Sequence, residues 1–130
     1  MAVVRAYVWV DAWEQQCCGE PFRTGGPVAW EVNEKPDATR VVVRISPERS
    51  GRIRFAQEHH GDDPDGVLTG TVARIEAVAC RREGGALVVG SGRLRQVSAD
   101  VPWVPDSSDA ERWMHEGWIV EVTSAVFESG

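Results

Sequence analysis

The chain has 130 residues, enough for one domain around one sizeable core, with 42% apolar and 26% charged residues. That balance excludes a disordered chain, and 14 basic against 20 acidic residues (net −6) disfavour non-specific binding to nucleic acid or an anionic membrane. The charge is uneven: residues 40–95 hold ten arginines and seven acids, so they carry +3 and the rest of the chain −9.

MAVVRAYVWVDAW at the start has an apolar run too short for a secretory leader, interrupted by Arg5 and Asp11. It predicts a strand over Val3–Val10, nearly continuous in its apolar character and therefore interior. No stretch approaches the roughly 20 apolar residues that span a bilayer. Three cysteines give no regular disulfide framework, so the reading is of a cytoplasmic protein with reduced thiols.

Asp11–Gly26 reads as irregular, punctuated by Gly19, Pro21 and Gly25-Gly26-Pro27. Val28, Trp30 and Val32 alternate with Ala29 and Glu31, the period of a strand. NEKPD at 33–37 is a turn, followed by strands at Val41–Ile45 and Ile53–Phe55. Residues 57–66, QEHHGDDPDG, form the most polar loop. Val67–Cys80 is the longest strand-like run, with a bend or bulge at Gly70. Short strands at Leu87–Val89 and Leu94–Val97 follow the turn RREGG. A connector with two prolines occupies 100–109. Ser108-Asp109-Ala110-Glu111 matches a capping box and predicts a short helix stopped by Gly117, before a last strand over Trp118–Phe127.

Without βα alternation, these elements predict a mainly β domain over residues 1–130: a small curled barrel or sandwich with one short helix near the C-terminus. The block YVWVDAWEQQCCGEPFRTGGPVAWEV, with weaker likeness through TGTVARIEAVACRR, resembles the start of a family of small uncharacterised actinobacterial proteins. That resemblance implies a bacterial, cytoplasmic origin and supplies no catalytic residues.

Four functional readings remain. The leading one is a small interaction or regulatory module with a protein partner, because six tryptophans are many for this length and no catalytic constellation stands out. Trp9, Trp13, Trp103 and Trp113 are its candidate surface. The second is a zinc site between the 17–20 and 58–63 loops, with thiolates of Cys17 and Cys18, imidazoles of His59 and His60, and Glu20, Asp62 or Asp63 as substitutes. Neighbours in an extended chain point to opposite faces, which weighs against all four converging. The third is a small barrel binding nucleic acid through Arg44, Arg54, Arg74, Arg93 and Arg95, an unlikely partner for an acidic chain. The fourth is a cysteine-dependent enzyme, with Cys17 or Cys18 as nucleophile and His59 or His60 as base. Against these stands a bland reading in which CCGEPF is a turn with one cysteine in the core, and Cys80 a core residue.

Overall fold

The computed structural model of the chain describes residues 2–34, 44–57, 63–106 and 112–130. The described residues form seven strands and two short helices: β1 Ala2–Asp11, α1 Ala12–Cys18, β2 Pro27–Glu34, α2 Pro47–Ser50, β3 Ile53–Gln57, β4 Gly66–Glu83, β5 Ala86–Leu87, β6 Arg93–Val97 and β7 Trp113–Ser129. None of the described helices is long and apolar enough to cross a membrane.

The mainly β expectation holds, but the barrel is replaced by one mixed sheet. Its path runs β2-β3-β1-β7-β4-β5, with β6 also on β4. Because β2 pairs β4 as well, the path returns on itself as a near-ring. The weak link is β3, five residues long and joined to β1 in parallel and to β2 antiparallel over three residue pairs each. The 18-residue β4 and 17-residue β7 run well past it. An up-and-down barrel needs antiparallel neighbours of matched length throughout, and the parallel β1–β3 pair and the five-residue β3 break both conditions.

The predicted C-terminal helix is overturned where it can be described. Trp113–Gly117 are strand, paired with Arg81–Val78 of β4. The capping-box residues 108–111 lie outside the described residues, as do 35–37 of the NEKPD turn and 41–43 of the predicted Val41–Ile45 strand. Conversely, the segment expected to be irregular contains α1. Asp11 caps it by accepting from the Trp13 N–H at 2.9 Å, and Gly19 ends it.

Interior position explains the continuous apolar run of β1, which sits between β3 and β7. Ala6, Val8 and Val10 enter the main core with Trp30, Phe55, Leu68, Ile75, Trp118, Val120 and Val122. Trp9 enters a second cluster on the other face with Ile45, Ile53, Val78, Cys80 and Ile119. Gly70 marks a register shift between β4 and β7, where β7 carries Ser124 at φ 51°. A Cβ at Gly70 would stand 2.8 Å from the Thr123 carbonyl oxygen, so the bulge needs glycine there.

Gly117 is the tighter crossing, paired with Asp11 of β1 and Val78 of β4. A Cβ there would overlap the Val10 carbonyl oxygen and come within 2.8 Å of Trp9 Cζ2. Neither is the free end of a flexible chain. Gly117→Ala should therefore destabilise the protein by about 1–3 kcal/mol, read as a lower urea midpoint; an unchanged midpoint would contradict this packing.

Candidate functional site

An open cavity lies beside β6. The chain leaving β6 crosses back over the sheet and is tied down at several points. Ala99 bridges Arg23, the Asp100 N–H donates to the Phe22 carbonyl at 3.2 Å, and Gln15 Nε2 donates to Asp100 Oδ2 at 3.1 Å. Trp118 Nε1–H donates to the Val101 carbonyl at 3.1 Å, and the Trp103 N–H donates to His115 Nδ1 at 3.3 Å. A connector held this way positions side chains as a strand would, without sheet pairing.

The result is an open groove of about 720 Å³, lined among others by Arg95, Val97, Ser98, Val101, Pro102 and Trp103. That volume suits a recognition groove. Val97 and the half-buried Trp103 pack on the edge of the main core, and Val101 is exposed. Exposed Arg95 adds a cation beside the indole. One residue pair along β6, Arg93 lies over the Trp113 ring, 4.9 Å from its centroid. This end of the sheet combines apolar area, fixed aromatic rings and positive charge.

His115 anchors the groove wall. Its ring meets Trp118 edge-on at 4.5 Å, and accepting from Trp103 requires an unprotonated Nδ1. Burial lowers its pKa from the ordinary 6.5, while the charges of Glu116 and Asp11 act the other way without offsetting it. An unfolded chain therefore takes up a proton near pH 6.5 that the folded chain takes up only at lower pH. In that window the unfolded state binds more protons, so stability is full above about pH 6.5 and falls as pH drops below it. Urea midpoints between pH 7.5 and 5.5 should show this loss, and His115→Asn should show less of it. Equal pH slopes would remove the assignment.

Behind the wall, neighbouring Glu116 faces the other way. Its carboxylate is 4% exposed and takes both oxygens' bonds from Arg82 at 3.0 Å and one from Arg44 Nε at 3.1 Å. Arg44 also lies over the Trp9 ring at 5.9 Å. Cys80 is enclosed in the same region, its thiol donating to the Arg44 carbonyl at 3.4 Å. Burial, with the Glu116 charge second, pushes the Cys80 pKa up to about 11. A thiol held protonated is no nucleophile at neutral pH. The Glu116 carboxylate is paired by both arginines, and the cluster is structural.

The sequence-predicted residues fall in different places. Trp103 and Arg95 share the groove, and Trp113 and Arg93 stack at the same end of the sheet. Trp9 is buried in the second cluster, whereas Trp13 on α1 is 66% exposed. The five arginines do not make one surface: Arg44 is bound to Glu116, Arg74 lies 3.7 Å from Glu76, and Arg54 lies over the Phe55 ring. Cys17 and Cys18 are both exposed at the end of α1 and joined to each other, so neither serves the core. His59, His60 and Asp62 lie outside the described residues. Metal binding is corrected: among the described residues, no group of three or more His, Cys, Asp and Glu could hold an ion, and the two thiols expected as ligands bond to one another. Sequence reasoning missed His115 as the anchor of the Trp103 backbone, because the helix assigned to 108–117 hid it. The available signal was the proline pair Pro102 and Pro105 flanking Trp103, which favours an extended chain.

Comparison with known proteins adds one match. Residues 4–124 match the model of a family described as Family of unknown function (DUF6578). No curated protein and no solved structure matches the chain.

Proposed function

The chain belongs to that family, which passes on no activity, and we propose from its own surface that it is a small binding module that docks an extended acidic segment of a protein partner. The observation that carries the reading is the groove beside Trp103: an indole fixed through its own backbone to His115, next to the Arg95 guanidinium, in an open cavity. Fixed aromatic rings give contact area at low entropic cost, and tryptophan and arginine dominate binding energy at such surfaces. Arg93 and Arg95 make the rim positive on a chain of net charge −6, which selects an acidic segment. The scatter of Arg44, Arg54 and Arg74 argues against a track for a nucleic-acid strand.

A displayed library of random dodecapeptides, selected on the immobilised full chain, tests this. Acidic sequences should be enriched, and their affinity should fall at least about tenfold, roughly 1.4 kcal/mol, on Trp103→Ala and on Arg95→Glu. Selected peptides that lack acids, or that bind the Trp103→Ala protein equally well, would overturn it. So would a library that yields no binder.

A further inference from the structure

A second concavity lies on the outer face of the sheet, where the segment from Pro47 to Arg52 folds over it. Four neighbouring strands set one row of side chains across this face. Ile53 of β3 pairs Tyr7 of β1, Tyr7 pairs Glu121 of β7, and Glu121 pairs Arg74 of β4. Directly opposed residues share a face, so these side chains converge. With Arg49, Arg52 and Glu76 they line a cavity of about 80 Å³.

Its charge is unlike that of the molecule. Arg49 and Arg74 both pair with Glu76, and Arg5 pairs with Glu121 at 3.1 Å. Those two carboxylates are thereby compensated and act as struts that fix the guanidinium groups. Arg52 makes no ion pair among the described residues. Three lining arginines, Arg49, Arg52 and Arg74, against Glu76 and Glu121 leave +1 at a small pocket, in a chain of −6. Arg5, Arg49 and Arg74 engage the two carboxylates, and Arg52 is the lining cation they leave over.

We propose that this pocket is a binding site for a small oxyanion of the phosphate class, either free phosphate or the terminal group of a phosphate monoester. The net positive lining and the Arg52 guanidinium that no carboxylate engages favour an anion there. Guanidinium groups present paired N–H donors spaced for tetrahedral oxyanions. The half-buried Tyr7 adds a hydroxyl at the wall that can donate a further bond. The volume admits one such group but not a nucleobase or sugar, so the remainder of a larger ligand would extend over the exposed Arg52 side. This site shares no lining residue with the Trp103 groove, and neither proposal depends on the other.

The test is titration of the full chain with inorganic phosphate and, separately, with glycerol phosphate, at constant ionic strength against sodium chloride. Binding is read by calorimetry and by the Nε–H resonances of the arginines. Saturable binding of either phosphate, with the Arg49, Arg52 and Arg74 signals moving together, is the expected result. Arg52→Gln and Arg74→Gln should each weaken it at least about tenfold, and Trp103→Ala should leave it unchanged. Binding of inorganic phosphate alone would identify the free ion as ligand, and tighter binding of glycerol phosphate would identify a monoester. Responses that match chloride, or that survive both arginine substitutions, would overturn the proposal. Because the arginine resonances are read on the unaltered chain, the outcome does not depend on a variant folding.

Discussion

Glu116→Gln should remove about 3 kcal/mol of stability, more than an ordinary surface ion pair could contribute. Exposed pairs are worth roughly 0–1 kcal/mol, because water solvates each partner nearly as well as the other partner does. Glu116 is different. It is 4% exposed and binds two arginines that are themselves only 18% and 29% exposed. Removing one member of a buried ion pair costs about 3–5 kcal/mol, since the remaining charge is left desolvated without its counter-charge. The residual access of water to Arg82 places the effect at the lower end of that range. Two denaturant series separate this from simple loss of a hydrogen bond. Glu116→Gln keeps shape and one acceptor but loses the charge, and it should be nearly as damaging as Glu116→Ala. If Glu116→Gln loses less than about 1 kcal/mol, hydrogen bonding and not charge holds the cluster. A double substitution with Arg82→Met should recover part of the loss, because one of the orphaned cations is then gone.

How much of this was legible in the sequence depends on whether a residue's fate is set locally. β1 could be read because burial on both faces leaves an unbroken apolar run, and Gly70 could be read as a bulge because glycine inside a long strand has few other uses. β2 could be read from the alternation of Val28, Trp30 and Val32. α1 escaped because seven residues carry too little periodicity to show, and its start rests on a single aspartate cap. The helix assigned to 108–117 shows the opposite failure. The capping box and the following Trp-Met-His-Glu suit a helix locally, but residues 113–117 pair with β4 along its far end. Cross-strand packing overrides a weak helix preference, and no local signal announces it. The groove inherits that error: Trp103 could be named from composition, but its partner His115 became visible only once β7 was known to begin at Trp113. The near-ring was hidden for a related reason. Its closure depends on β3 meeting β1 in parallel, a pairing between segments some 45 residues apart that leaves no periodic trace.

Trp118→Ala should cost about 3–5 kcal/mol, the range for a buried large aromatic truncated in a packed core. The ring is 1% exposed, meets Phe22 edge-on at 5.7 Å and His115 at 4.5 Å, and sits among Ala77, Val120 and the other residues of the main core. Little can collapse into the space, because both flanking strands are long and paired on either side. The more informative replacement is Trp118→Phe. It keeps most of the apolar contact but deletes the Nε1–H that donates to the Val101 carbonyl. Val101 is exposed, so water can satisfy the freed oxygen, and the stability loss from the hydrogen bond itself should be only about 0.5–1.5 kcal/mol. Its consequence should appear instead in the groove. The connector would keep its bond from Trp103 to His115 but lose its anchor two residues earlier, so Val101 and Trp103 would have to be ordered at the moment of binding. A fall in affinity for the selected acidic peptides, out of proportion to the small loss in urea midpoint, is the expected signature of Trp118→Phe. Unchanged affinity would mean that the indole serves the core alone and that the groove is held by the His115 contact and the Phe22 edge of the connector.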